Sequence, residues 1–300
     1  MAIVEVKGLC KSFDGAMAVK QLGLEIKKGE IYGLIGPDGA GKTTTLRILS
    51  GIMEPDSGNA RVSGFKLPEE AEKVKEHIGY MPQKFSLYED LTVAENIKFF
   101  AEAFCIEKAE LEKRMAPLLK MTRLKPFANR LAGNLSGGMK QKLALMSVLI
   151  HRPGLLILDE PTTGVDPVSR RELWEILQGI RAEGVSIIVS TPYMDEAEWC
   201  VRTGIMFKGS IILSGTPSEL KAAFKGTVYE IIPGKKSEGL FQKLRSLPFV
   251  SDIQVFGGRY HAVVKDKKAA SALARAAGGR ADIREIAPSI EDVFVNRISA

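Results

Sequence analysis

"GPDGAGKTT", Gly36 to Thr44, follows the apolar run "IYGLI" and precedes "TLRILSG". The run before it reads as a buried strand, and the run after it as a helix that closes near Gly51. The spacing from Gly36 to Thr43 is G-x-x-x-x-G-K-[ST]. Its glycines let backbone N–H groups turn toward phosphate oxygens, and the helix N-terminus adds positive potential. In such a loop Lys42 reaches the β- and γ-phosphates, and the Thr43 hydroxyl binds Mg²⁺. A glycine-rich turn arising by chance is the plain alternative, and the strand before it and the helix after it argue against that.

Working outward, "IVEVKGLCKSF" alternates like a strand, and "LGLEIKKGEIYGLIG" predicts a hairpin and then the buried strand. From Phe85 to Asn134 the pattern turns helical, and Thr92-x-x-Glu95 in "LTVAEN" is a capping box. "KLALMSVLI" and "VSRRELWEILQGIRAEG" read as helices, "GLLILDE" and "VSIIVS" as strands from the interior of a parallel sheet. Strands alternating with helices predict an α/β core. From Gly226 the order changes to β-α-β-β-α-β, with a hairpin at Gly257-Gly258 and a closing helix over "SIEDVFVNRI". That is the order of a ferredoxin-like, split βαβ domain. The expected organisation is therefore residues 1–225 as one domain, with a helical subdomain over about 85–150, and residues 226–300 as a small α+β domain.

Asp159 follows the strand "LLIL" and emerges at its carboxyl end, the ligand side of such a sheet. It is placed to hold Mg²⁺ through water, and Glu160 beside it to polarise an attacking water. Alone, Asp-Glu after a strand reads as a helix cap; the phosphate loop changes that reading. "NLSGGMKQ", Asn134 to Gln141, is a second anion-binding helix start. Two phosphate-binding loops in a chain with one G-x-x-x-x-G-K-[ST] make sense if two subunits clamp one nucleotide.

Composition narrows the partners. With 45% hydrophobic and 26% charged residues the chain is of globular type, and no run approaches the about 18 apolar residues of a membrane span. "MAIVEVKGL" lacks the apolar stretch of a signal peptide. Cys10, Cys105 and Cys200 are far apart and without metal spacing, which predicts reduced thiols; His77, His151 and His261 have no ligand-spaced neighbours. Of the net charge of +6, most falls after Gly226, where twelve basic residues face eight acidic ones without a dense run. That is a solvated surface rather than a nucleic-acid footprint.

Over about the first 220 residues these motifs, in this order, resemble the ATP-binding subunits of ABC transporters. The resemblance implies a P-loop NTPase core with a parallel sheet, an antiparallel subdomain and a helical subdomain. It implies ATP and Mg²⁺ as ligands, with the nucleotide held by Phe13, Gly36, Pro37, Asp38, Gly39, Ala40, Gly41, Lys42, Thr43 and Thr44. Catalytic roles are implied for Glu160, Gln83 and Lys42, and Mg²⁺ contacts for Thr43, Gln83 and Asp159. The signature residues Ser136, Gly137, Gly138 and Gln141 would act on the neighbouring subunit's ATP in a head-to-tail dimer, with Asp166 in the D-loop. Membrane-spanning permease subunits are the implied partners, which puts the chain at the inner face of the cell membrane. No nucleic-acid partner is expected. "FSLYEDLTVAENIKFF" and "PSIEDVF" resemble the drug-exporter, daunorubicin-type branch.

Two positions depart from that family. Asp38 stands where asparagine is usual, and Pro192 in "VSTPYMDEAE" where the family has a histidine that contacts the γ-phosphate. Proline has no backbone N–H and no side-chain donor. It suits the first position of a helix, with Thr191 as the cap. "GPDGAGKTT" together with "STPYMDEAE" resembles the first ATPase half of tandem multidrug exporter subunits, which sets a degenerate ATP-binding partner of a second, competent ATPase beside the motor reading. A soluble ABC protein acting on ribosomes or DNA is the third reading, and the single ATPase domain without coiled-coil insertions argues against it. With one such domain here, the complementary ATPase is expected on a separate polypeptide.

Overall fold

The computed structural model describes residues 1–84, 87–234, 237–264 and 269–299. Phe85, where the expected helical stretch begins, and Lys267 and Lys268 of the expected tail helix lie outside the described residues. The chain divides into two compact units, Met1–Ser214 and Gly215–Ala300.

In the first unit, β1 (Ala2–Phe13) and β2 (Ala16–Lys27) form an antiparallel hairpin about Asp14 and Gly15, both at positive φ. That Asp-Gly turn matches the twist of the strands it joins. The next strand, β3 (Ile31–Ile35), leaves this sheet altogether. The hairpin expected within "LGLEIKKGEIYGLIG" therefore does not exist: β2 pairs with β1, and β3 enters the parallel sheet. After β3 comes α1 (Lys42–Leu49); β4 (Ser57–Val62) and β5 (Phe65–Leu67) then complete an antiparallel sheet in the order β2-β1-β4-β5.

Next come α2 (Ala71–His77), β6 (Ile78–Met81), α3 (Val93–Ala103), α4 (Lys108–Met121) and α5 (Gly137–Leu149). They are followed by β7 (Leu155–Asp159), α6 (Pro167–Ala182), β8 (Ser186–Thr191), β9 (Arg202–Phe207) and β10 (Ser210–Gly215). The second sheet has the order β10-β9-β3-β8-β7-β6, and its β9-β3-β8-β7-β6 pairs are parallel. Every residue of β3, β7 and β8 is buried, as a sheet covered on both faces requires. Tyr32, Leu34, Ile157 and Ile188 join a core with the antiparallel sheet and α1; Ile31, Leu156, Leu158 and Val189 join one with α5 and α6. A third core lies among α3, α4 and α5. In β8, Ser190 pairs with Asp159 and Thr191 with Ile35, so the carboxyl ends of β3, β7 and β8 lie side by side. Among the described residues no helix is long and apolar enough to cross a membrane.

The second unit begins with α7 (Pro217–Ala222), followed by β11 (Thr227–Pro233), α8 (Leu240–Arg245), β12 (Val250–Phe256) and β13 (Arg259–Val264). α9 (Ala269–Ala277), β14 (Ala281–Ile286) and α10 (Ile290–Ser299) close it. Its antiparallel sheet has the order β12-β13-β11-β14, the split βαβ arrangement read from the sequence.

Candidate active site

The loop between β3 and α1 is shaped by what lies behind it. A Cβ on Gly36 would sit 2.2 Å from the Met206 carbonyl oxygen, and one on Gly41 2.2 Å from that of Ala18. Gly41 also has φ 102°, which only glycine adopts freely. Pro37 is half-buried, Asp38 and Gly39 form the exposed tip, Ala40 is buried, and Thr44 lies in the first turn of α1. Asp38 is thus exposed at the tip of the loop.

Lys42 is 3% exposed. Its ammonium donates to the carbonyls of Gly36 at 2.7 Å and Pro37 at 3.1 Å and lies 3.4 Å from Glu160 Oε1. Thr43 Oγ1 donates to Asp159 Oδ1 at 3.1 Å. Glu160 Oε2 accepts from Gln83 Nε2 at 2.8 Å and from Thr163 Oγ1 at 3.2 Å. One connected cluster at the carboxyl edge of the sheet therefore joins Lys42, Thr43, Gln83, Asp159 and Glu160. Burial pushes the Asp159 carboxyl above its ordinary range, against hydrogen bonds from Ser190 and Thr43 and with the Glu160 charge adding to the rise.

Asp159 Oδ2 is buried and has no hydrogen-bond partner. A buried carboxylate oxygen left so, on a carboxylate that also holds the Thr43 hydroxyl, is hard-donor chemistry that fits Mg²⁺. Among the described residues no group of three or more His, Cys, Asp or Glu could hold a metal ion.

The other predicted residues share no hydrogen bond with this cluster among the described residues. Ser136 caps α5, its Oγ accepting from Met139 N at 3.4 Å, and Gly137 opens that helix. Gly138 allows close packing on α6, since a Cβ there would sit 2.5 Å from Ser169. Gln141 Oε1 is buried without a partner. Asp166 caps α6 through Val168 N at 3.1 Å and Ser169 N at 3.0 Å. Phe13 ends β1, 44% exposed, with the Lys11 ammonium 5.7 Å from its ring centre.

Pro192 does not begin a helix. It sits in a bend after β8; Thr191 Oγ1 accepts from Tyr193 N at 3.1 Å, and a 3₁₀ turn starts two residues later, at Met194. The hydroxyl expected as a helix cap instead closes a local turn over the proline.

Two functional-site residues escaped the sequence reading. Thr163 was within reach, because its N–H donates to the Glu160 carbonyl at 3.2 Å in a local turn. Ser190 joins Asp159 and the Glu160 backbone, and its signal is a hydroxyl directly after the apolar run Ile187–Val189 of β8.

A family model described as ABC transporter matches residues 19–163, and one described as the C-terminal domain of DrrA1-3-like ATP-binding proteins matches residues 215–298. The chain is 41% identical over 299 residues to the probable multidrug ABC transporter ATP-binding protein YbhF of Escherichia coli K12. The match covers 98% of this chain and 52% of YbhF, so the chain spans about half the length of that relative. It is 36% identical over 255 residues to the linearmycin resistance ATP-binding protein LnrL of Bacillus subtilis 168, covering 84% of this chain and 82% of LnrL. Among solved structures, the dimeric ATP-binding cassette MJ0796 in a post-hydrolysis state with ADP and Pi superposes with a TM-score of 0.65 at 27% identity, over 71% of this chain and 98% of that one. With the phosphate loop, the two acidic residues and the glutamine joined in one cluster, the chain belongs to the family of ABC transporter ATP-binding proteins.

Proposed function

We propose that residues 1–225 bind and hydrolyse ATP to drive export of drugs or other small molecules through separate membrane-spanning subunits, with residues 226–300 as an accessory domain. The observation that carries this reading is the cluster of Lys42, Thr43, Gln83, Asp159 and Glu160, with one buried Asp159 oxygen left without a partner. The loop Gly36–Thr44 cradles the phosphates with backbone N–H groups, and Phe13 offers an exposed ring to the base. Lys42 moves its charge from the loop carbonyls to the β- and γ-phosphates. Thr43, Asp159 and Gln83 would hold Mg²⁺, which when bound would neutralise charge on the phosphate oxygens. Glu160 takes the proton of the attacking water, and Gln83, hydrogen-bonded to it, links the site to the permease.

The signature group Ser136, Gly137, Gly138 and Gln141 shares no hydrogen bond with the cluster among the described residues. It is accordingly assigned to the ATP of a second ATPase subunit, in a head-to-tail dimer completed by Asp166. The assembly works at the inner face of the cell membrane.

Pro192 favours a second reading, a degenerate ATP-binding partner of another, competent ATPase. Losing one preorganised donor typically costs about 10²–10³ in rate. Steady-state hydrolysis by the purified chain, beside Glu160→Gln and Pro192→His, separates the two. Turnover well above Glu160→Gln, raised further by Pro192→His, is expected for the motor. Turnover equal to Glu160→Gln with ATP still bound, restored by Pro192→His, selects the second reading. A chain that binds no ATP overturns both.

A further inference from the structure

Ser190 is 0% exposed and lies in β8 directly opposite Asp159 of β7. Its Oγ accepts from the Glu160 N–H at 3.0 Å and donates to Asp159 Oδ1 at 2.6 Å. A hydroxyl has one proton. Since the Glu160 N–H is itself a donor, the serine proton is committed to Asp159. We propose that Ser190 is the positioning residue of the site, one oxygen that sets the metal-holding carboxylate and the water-activating carboxylate together. The proposal rests on the ATPase reading above.

Its first effect is on Asp159. With Ser190 at 2.6 Å and Thr43 at 3.1 Å both donating to Oδ1, the carboxylate is turned so that Oδ2 is the oxygen left over. That is the oxygen free to meet a cation. The second effect is on Glu160, whose φ of 51° lies in the left-handed region that non-glycine residues rarely occupy. Its N–H is shared between Ser190 Oγ and the Ser190 carbonyl at 3.1 Å, which holds the kink. The kinked residue places its side chain against Gln83, Thr163 and Lys42. Thr191 and Pro192 follow at once in the chain, so a shift at the end of β8 reaches both acids through one atom.

The test compares Ser190→Ala and Ser190→Thr with wild type in the full chain. ATP affinity is measured in EDTA, Mn²⁺ binding in the presence of ATP by the loss of the free-ion EPR signal, and kcat and KM alongside melting temperature. A hydrogen bond to a charged group supports an expected rise in the Mn²⁺ half-saturation concentration of about tenfold to a hundredfold in Ser190→Ala. A comparable fall in kcat is expected, with KM, metal-free ATP affinity and melting temperature little changed. Ser190→Thr, which restores the hydroxyl, should recover Mn²⁺ binding. The Mn²⁺ measurement decides even where turnover is slow. Unchanged Mn²⁺ binding in Ser190→Ala overturns the proposal. So does an equal loss of ATP affinity in EDTA, because that marks a merely structural role. Wild-type chain that fails to bind ATP at all overturns the ATPase reading and this one with it.

Discussion

Glu196 is fully buried, and its charge is balanced from two sides. Thr162 Oγ1 donates to Oε2 at 3.1 Å, and Arg170 Nε lies 3.3 Å from Oε1. Arg170 also pairs with Asp195, and its guanidinium lies 4.9 Å from the Tyr193 ring centre. One arginine on α6 thus ties down the turn that follows Pro192. Arg170→Met strands a buried carboxylate, and urea denaturation should show a loss of about 3–5 kcal/mol. Adding Glu196→Gln should recover most of it, since a neutral amide still accepts from Thr162 and leaves no unpaired charge. A single-variant loss well under 1 kcal/mol would show that Glu196 is not held this way. At this scale the phosphate loop and the Asp159-Glu160 pair were legible, because their geometry comes from neighbours in sequence. The Ser190–Asp159 bond spans 31 residues and depends on the register of β8 against β7, which no local spacing states.

The entry to α3 shows both outcomes at the scale of elements. Thr92 and Glu95 form the capping box that their spacing predicts, with Thr92 N donating to Glu95 Oε2 at 2.8 Å and Glu95 N to Thr92 Oγ1 at 3.2 Å. Asn96, one residue on, carries no such spacing signal in the sequence. It is instead fully buried, accepting from Tyr88 N at 3.0 Å and donating to the carbonyls of Tyr88, Leu91 and Thr92. Tyr88 and Leu91 are thereby pinned to the helix start. Thr92→Ala should cost about 1 kcal/mol by denaturation, the usual worth of a cap. Asn96→Ala should cost more, about 2 kcal/mol, because it leaves several buried backbone groups unpaired. Equal costs would mean that the segment is held by packing rather than by Asn96. The misread hairpin has a related cause. "KKGE" does carry a turn, at Lys28 and Gly29, but turn residues do not report which sheet receives the next strand. That is decided by β3, whose five buried residues suit only the interior of the parallel sheet. The helix expected at Pro192 failed for a comparable reason, since Thr191 belongs to β8 and its hydroxyl is used two residues ahead.

Each of the two units has its own core, and the tail's is built from Tyr229, Ile231, Leu240, Leu244 and their neighbours within the second unit. Separate cores are the condition for separate unfolding. The tail also carries its own titration. Glu230 accepts from Arg259 at 3.0 Å and Arg284 at 2.7 Å, and its carboxyl is held below the usual range, chiefly by the Arg259 hydrogen bond. A carboxylate depressed in the folded state stabilises above its unfolded pKa, about 4.3, and that contribution is lost as pH falls through the folded value. Both arginines are at least half exposed, which keeps the contribution below about 1 kcal/mol. Calorimetry at pH 7 should therefore resolve two transitions. ATP with Mg²⁺ at a hundred times Kd should stabilise the one belonging to Met1–Ser214 by about 2.7 kcal/mol and leave the other in place. Glu230→Gln should lower only the tail's transition at pH 7, and the gap to wild type should close as the pH falls below about 4. One transition displaced as a whole by ATP would instead mean that the tail melts with the ATPase unit, and nucleotide binding would then be felt throughout the chain.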